Sequence, residues 1–197
     1  MKLFAKFISY LFHPVLFFLI MPFFIVYRQT ESGMYAIKWM VFSSVFILFG
    51  VMTILFETLK GDFSDFDISH KEQRVKFYMI IFVIGATYLF AALYFKGIFF
   101  PLSIISLGIV LGLIIFAFVS HYVKASIHVA VSSAFVATIA LLYRNGSITE
   151  VGWIVPLVAW ARITLKRHTF SEVFVGGVLG VAIAAITFIL GKYIYSL

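Results

Sequence analysis

The feature that most constrains this chain is its succession of long apolar runs separated by short polar breaks. Seven such segments can be read, at about residues 12–27, 35–56, 77–95, 98–119, 127–143, 151–161 and 173–195. A helix that crosses the hydrocarbon core needs about 20 predominantly apolar residues. A lipid-exposed backbone must also satisfy its own hydrogen bonds, so helices are the available element. The pattern predicts an all-α chain, a polytopic transmembrane helical bundle with six or seven spans; the short sixth segment separates the two counts. Composition agrees, with 63% hydrophobic and only 12% charged residues, against roughly 25% charged in soluble domains. The 197 residues fit one integral membrane domain. Pro14 falls near the start of the first segment, where Pro is tolerated, and Pro22 is expected to kink it.

The absence of cysteine excludes disulfides, thiolate zinc sites and cysteine nucleophiles. The net charge is +7. Its cations lie mostly in short inter-span loops, which points to anionic headgroups or an anionic substrate as partners and not to nucleic acid. No aromatic-basic RNA-binding motif is present. The N-terminal stretch carries Lys2 and Lys6 and leads into an apolar run; no small-x-small site follows, and Pro14 and Pro22 interrupt it, which argues against a cleaved signal peptide.

If every segment crosses, parity places four regions on one membrane face: the N-terminus, the polar loop 57–76, the link 120–126 and the stretch Ala161–Glu172. Arg28, Lys38, Lys96, Arg144 and Lys192 fall on the other. The last of the four regions is the densest in chemistry. Read as helix, it sets Arg162 and Lys166 one turn apart, and His168 and Glu172 likewise, a histidine with a carboxylate placed to orient its ring. In the link, His121, Lys124 and His128 share a helical face, with Ser126 between them near a helix N-terminus that favours an anion. In the loop, Lys71 and Arg74 are i, i+3 neighbours. Five cations around two histidines beside hydrocarbon are expensive and usually functional. A tetrahedral oxyanion would offset their repulsion. Plainer readings stand beside these. Lys71 and Arg74 fit flanking charges of a span, His128 a hydrogen-bonded core histidine, and Lys166 and Arg167 interfacial anchors. His13 and His70 have no evident partner. Gly176, Gly177 and Gly180 read as packing residues.

These three loops resemble the three signature motifs of the type 2 phosphatidic acid phosphatase superfamily of membrane lipid phosphatases. The third motif reads Ser-Arg, five residues, His, three residues, Asp; Ala161-Arg162, His168 and Glu172 keep that spacing, with Ala for Ser and Glu for Asp. The second reads Pro-Ser-Gly-His; here it is Ala125-Ser126-Ile127-His128. The first reads Lys, six residues, Arg-Pro; Arg74 fits the Arg, but Asp67 stands at the Lys position and Val75 replaces Pro. Lys71 and Lys124 are the neighbours placed to supply the missing charge. The resemblance covers about residues 67–180.

The resemblance implies a metal-independent phosphatase that needs no cofactor. His168 would attack phosphorus, Glu172 would hold its ring, and His128 would serve as acid and then base. Lys71, Arg74, Lys124, Ser126 and Arg162 would bind the phosphate. A site at the membrane surface suits a lipid phosphate as substrate: phosphatidate, phosphatidylglycerol phosphate or a polyprenyl (pyro)phosphate. No HExxH motif or thiolate suggests a metal. The alternative is a non-catalytic anion- or lipid-binding or transport protein on the same fold. A bacterial inner membrane is the expected location. The cation bias points the motif face to the cytoplasm, whereas the resemblance implies an outward-facing site.

Overall fold

The computed structural model describes residues 1–68, 70–94, 100–143 and 147–195. Those residues form α1 (Lys2–Leu11), α2 (Pro14–Thr30), α3 (Gly33–Leu59), α4 (Arg74–Tyr94), α5 (Phe100–Val119), α6 (Ile127–Tyr143), α7 (Ser147–Val151), α8 (Ile154–Thr164) and α9 (Phe170–Tyr195). A single 3-10 turn, Lys71–Gln73, leads into α4, and the described residues contain no strand.

Among the described residues, four stretches are long and apolar enough to cross a membrane: Lys2–Thr30 taken across the break between α1 and α2, Gly33–Leu59, Arg74–Tyr94 and Phe170–Tyr193. The apolar stretches Ser103–Val119 and Ile127–Tyr143 are shorter. The chain is thus an all-helical integral membrane protein. Its surface says the same. On α3, Ala36, Trp39, Ser43, Gly50 and Ile54 turn inward, while Val41, Val45, Phe49 and Met52 are exposed. An apolar face of that extent is unfavourable in water and favourable in hydrocarbon. Inside, Ser43 Oγ is paired with the Tyr88 hydroxyl at 2.8 Å.

Each predicted apolar segment contains a helix, and α1 is an addition to them. The sequence reads residues 1–11 as a lead-in, but they form an amphipathic helix of their own. Ala5, Ile8 and Ser9 pack towards α8, and Leu3, Phe4, Phe7 and Tyr10 face outward. His13 ends the break by accepting from Val15 N–H at 3.4 Å, with Pro14 in the first position of α2.

The centre of the molecule is the crossing of α6 and α9, and glycine permits it. A Cβ on Gly180 would lie 2.0 Å from the Ala130 carbonyl oxygen, and one on Gly176 would lie 2.6 Å from that of Ser126. At Gly177 the nearest atom would be Ser133 Oγ at 3.6 Å, an ordinary contact. Gly176 and Gly180, one turn apart, let the two backbones touch. The same approach lets Ser126 N–H donate to the Glu172 carbonyl at 3.0 Å, which ties the start of α6 to the start of α9. At this end of the bundle the α1–α2 break, the 60–73 loop, the 120–126 link and the α8–α9 connection meet. Lys76 on α4 holds the loop by donating to Glu57 and, at 2.6 Å, to Asp62.

Candidate active site

His168 is delivered by two helix caps. At the end of α8, Lys166 takes a left-handed conformation at φ 56°, Arg167 N–H reaches the Arg162 carbonyl at 3.1 Å, and Lys166 N–H reaches that of Ile163 at 2.9 Å. This is a Schellman-type stop. At the start of α9, Thr169 and Glu172 form a reciprocal capping box. Glu172 N–H donates to Thr169 Oγ1 at 3.3 Å, and Thr169 N–H donates to Glu172 Oε2 at 3.0 Å. The same Glu172 Oε2 lies 3.1 Å from His168 Nδ1. The carboxylate is therefore fixed from two sides. It favours the tautomer with its proton on Nδ1, leaving the Nε2 lone pair free.

These caps correct one expectation. The stretch 161–172 is not a continuous helix, so Arg162 and Lys166 do not share a helical face: Lys166 lies in the turn and is exposed. His168 is buried. Burial first, and the Arg162 charge second, pull its imidazole down to about 4 against the opposing pull of Glu172. The ring is neutral at physiological pH, as a nucleophile must be.

Arg162, on the last turn of α8, is 4% exposed. Its Nη1 donates to Ser9 Oγ at 2.8 Å and to Asp67 Oδ2 at 2.9 Å, and lies 3.5 Å from His128 Nε2. Among the described residues its Nε, which is buried, has no hydrogen-bond partner. The Ser126 hydroxyl, wholly buried, has none among them either. Unpartnered buried polar groups are rare and call for an explanation. Both belong to the predicted phosphate-binding set.

The other predicted residues sort as follows. His128 is buried in the first turn of α6. Arg74, also buried, begins α4 and points its guanidinium at the carbonyls of Ile68 and Ala125, at 3.5 and 3.4 Å. Lys124 is part-exposed. Burial first, then the charges of Arg74, Arg167 and Arg162, lower its ammonium below the usual range despite Glu172. That places it in the same electrostatic field. The Lys71 side chain lies outside the described residues. His121 does not join the site, because residues 120–126 are not helical and α6 starts only at Ile127. Its ring is exposed, and Nδ1 faces the Ala117 carbonyl at 2.9 Å. His70 is exposed.

Three residues that the sequence left without a role stand in the site: Ser9, His13 and Asp67. Asp67 Oδ1 lies 3.6 Å from His13 Nε2 and 3.9 Å from His128 Nε2, and the two rings meet edge to face at 5.0 Å. Burial by itself pushes this carboxyl up. The hydrogen bond with His13 and the charges of His128 and Arg162 outweigh that and hold it well below the usual carboxylate range. A signal for one of the three was present in the sequence: His13 before Pro14 is a helix-start pattern. Ser9 and Asp67 carried none.

His13, Asp67 and His128 also have the spacing of a metal group, their ligand atoms all lying within 4.8 Å of one another. The sequence gave no sign of such a cluster. Tetrahedral zinc with ligands at 2.0–2.1 Å implies ligand separations of about 3.4 Å, close to the distances from Asp67. The donor chemistry fits poorly, however. Val15 N–H on His13 Nδ1 puts the ring proton on Nε2, the atom that would have to bind the cation. Arg162 already supplies a cation 2.9 Å from the same carboxylate. The trio fits a part-buried carboxylate flanked by two imidazoles and neutralised by Arg162.

No protein-family model, curated protein sequence or solved structure matches the chain.

Proposed function

We propose that the protein is a membrane-embedded, metal-independent lipid phosphate phosphatase, a six- or seven-span bundle of the type 2 phosphatidic acid phosphatase kind in a bacterial inner membrane. The observation that carries this reading is the pair of unpartnered buried donors, Arg162 Nε and the Ser126 hydroxyl, beside two histidines. An anion with several oxygens would satisfy both. One bonded to a leaving group would stand between a neutral His168 and His128.

In this reading His168 Nε2 attacks phosphorus, the P–N bond forms, and the bond from phosphorus to the lipid oxygen breaks. His128 gives its proton to the leaving alkoxide, then takes one from the water that releases inorganic phosphate. Glu172 keeps the Nδ1 proton in place and stabilises the charged phosphohistidine ring. Arg162, Arg74, Lys124, Ser126 and, by sequence position, Lys71 hold the equatorial oxygens as charge shifts. The exposed Leu3, Phe4 and Phe7 of α1 lie on the helix that carries Ser9. They suit a site fed from the lipid phase. The substrate is a phosphomonoester or pyrophosphate lipid such as phosphatidate, phosphatidylglycerol phosphate or a polyprenyl (pyro)phosphate.

The test is phosphate release from these lipids by the purified chain in the presence of a chelator. Release by wild type and none by His168→Ala is the expected result; equal release by both would sink the proposal. One observation favours a second reading, a non-catalytic anion-binding or transport protein. Asp67 already neutralises Arg162. Vanadate binding without turnover on any of the lipids would select that reading.

A further inference from the structure

Asp67 occupies the position at which the resembled motif carries a lysine, and it reverses the charge there. We propose that Asp67 is a positioning residue with a role different from that of the lysine: one carboxylate oxygen turns Arg162 towards the substrate and the other faces the His128 ring and favours its protonated form. This rests on the phosphatase reading and assigns a role that the motif comparison alone would score as a loss.

All of the described bonds of Arg162 are made through Nη1, to Ser9 Oγ and Asp67 Oδ2 at 2.8 and 2.9 Å. A guanidinium held at that end presents its Nε side to whatever else lies in the pocket. Nε is the atom left buried without a partner. Asp67 and Ser9 thus occupy one end and keep the side-on edge, which matches two oxygens of a phosphate, free.

His128 must hold a proton to protonate a poor leaving group. Burial of its ring opposes that first, and the Arg162 guanidinium, 3.5 Å from Nε2, second. His13 and His168 face the same ring and oppose it further. Asp67 Oδ1, at 3.9 Å from the same nitrogen, supplies an attraction comparable in distance to the repulsion from Arg162. Catalytic contacts of this length in a ligand-free site commonly shorten when substrate binds.

The backbone next to this carboxylate is held in an unfavourable shape. Ile68, the next residue, has φ 50°, a region that β-branched residues avoid. Its side chain is buried, and its carbonyl faces Arg74 Nε at 3.5 Å. The loop therefore fixes Asp67 and Arg74 together.

The experiment compares kcat/KM, which covers the steps up to alcohol release, on two phosphates with similar tails: a long-chain alkyl phosphate, whose leaving oxygen needs a proton, and an alkylated aryl phosphate, whose leaving oxygen does not. The alkyl-to-aryl ratio cancels the amount of folded enzyme, so a partly folded variant still reports. Asp67→Asn should lower the alkyl value by roughly a hundred-fold and the aryl value by less than about ten-fold, with Asp67→Glu recovering part of the ratio. Asp67→Lys, which improves the match to the motif, should be no better than Asp67→Asn. Equal losses on both substrates would reduce Asp67 to a structural residue and overturn the proposal, as would activity in Asp67→Lys at or above wild type. Stoichiometric zinc binding by wild type, with activity lost in chelator, would also overturn it in favour of a metal site. Activity in His168→Ala would instead overturn the phosphatase reading on which it rests.

Discussion

Glu172 Oε2 sits 3.1 Å from His168 Nδ1 while accepting Thr169 N–H at 3.0 Å. One oxygen thus serves a helix cap and a candidate nucleophile at once. The cap fixes where the carboxylate is, and the carboxylate fixes which ring nitrogen carries the proton. Glu172→Gln keeps an acceptor on the ring but removes the charge. A hydrogen bond to a charged group is worth about 1.5–3 kcal/mol, so kcat on a lipid phosphate should fall roughly ten- to a hundred-fold. His168→Ala should abolish turnover. A Gln variant as inactive as His168→Ala would show that the charge, and not the orientation, is what the site requires.

The acid side of the pH profile follows from His168. Its conjugate acid is displaced to about 4, first by burial and then by Arg162. The free enzyme therefore keeps a neutral His168 down to that value, and its limb in kcat/KM should lie near pH 4 and not near the ordinary 6.5. Glu172→Gln removes the influence that raises the value, so the limb should move further down. Stability has the corresponding sign. The unfolded chain binds a proton at His168 at higher pH than the folded one. Stability is thus unaffected by this group above about 6.5 and falls as the pH drops from there towards 4. Denaturation midpoints in detergent across that window, wild type against His168→Ala, measure the contribution.

The crossing of α6 and α9 gives a packing prediction with an internal control. Gly180→Ala would place a methyl 2.0 Å from the Ala130 carbonyl oxygen, and Gly177→Ala would place one 3.6 Å from Ser133 Oγ. Overpacking of a fixed interface costs about 1–3 kcal/mol, and here the obstacle is backbone, which cannot rotate away. Gly180→Ala should lower the melting temperature in detergent and the activity with it. Gly177→Ala should leave both close to wild type. If the two variants behave alike, the close approach is not the reason for these glycines.

The same glycines mark how far the sequence could be read. Their spacing, the apolar runs and the order of the three polar loops were legible because hydrophobic periodicity and small-residue patterns act locally. The meeting of Arg162, His128 and Asp67 was only partly legible. Parity placed their loops on one face, but nothing local gave Asp67 a partner 95 residues away. The end of α8 was misread for a specific reason. The left-handed position that stops it is filled by Lys166 and not by glycine, so the usual stop signal is missing and the charge spacing reads as one continuous helix. His121 was misread because its i, i+7 relation to His128 has meaning only inside a helix, and α6 begins after it. Ser9 was invisible because its role depends on α1 packing on α8, a contact set by tertiary structure.

Ser126 yields a prediction in which stability and binding move in opposite directions. Its hydroxyl is fully buried, just before α6, and makes no hydrogen bond among the described residues. A buried polar group without a partner costs about 1–3 kcal/mol. Its replacement by alanine removes that penalty at the loss of one buried atom. Ser126→Ala should therefore melt at the same temperature as wild type or higher when no ligand is present. If the hydroxyl is held for an oxyanion, the same variant should bind vanadate more weakly, by a factor of roughly ten for one lost hydrogen bond in a buried site. Arg162→Lys, which cannot present the side-on edge, should lose more. Thermal shifts of the three proteins with and without vanadate separate the two effects. A Ser126→Ala variant that is destabilised yet binds vanadate as wild type does would assign the hydroxyl to the fold and remove it from the site.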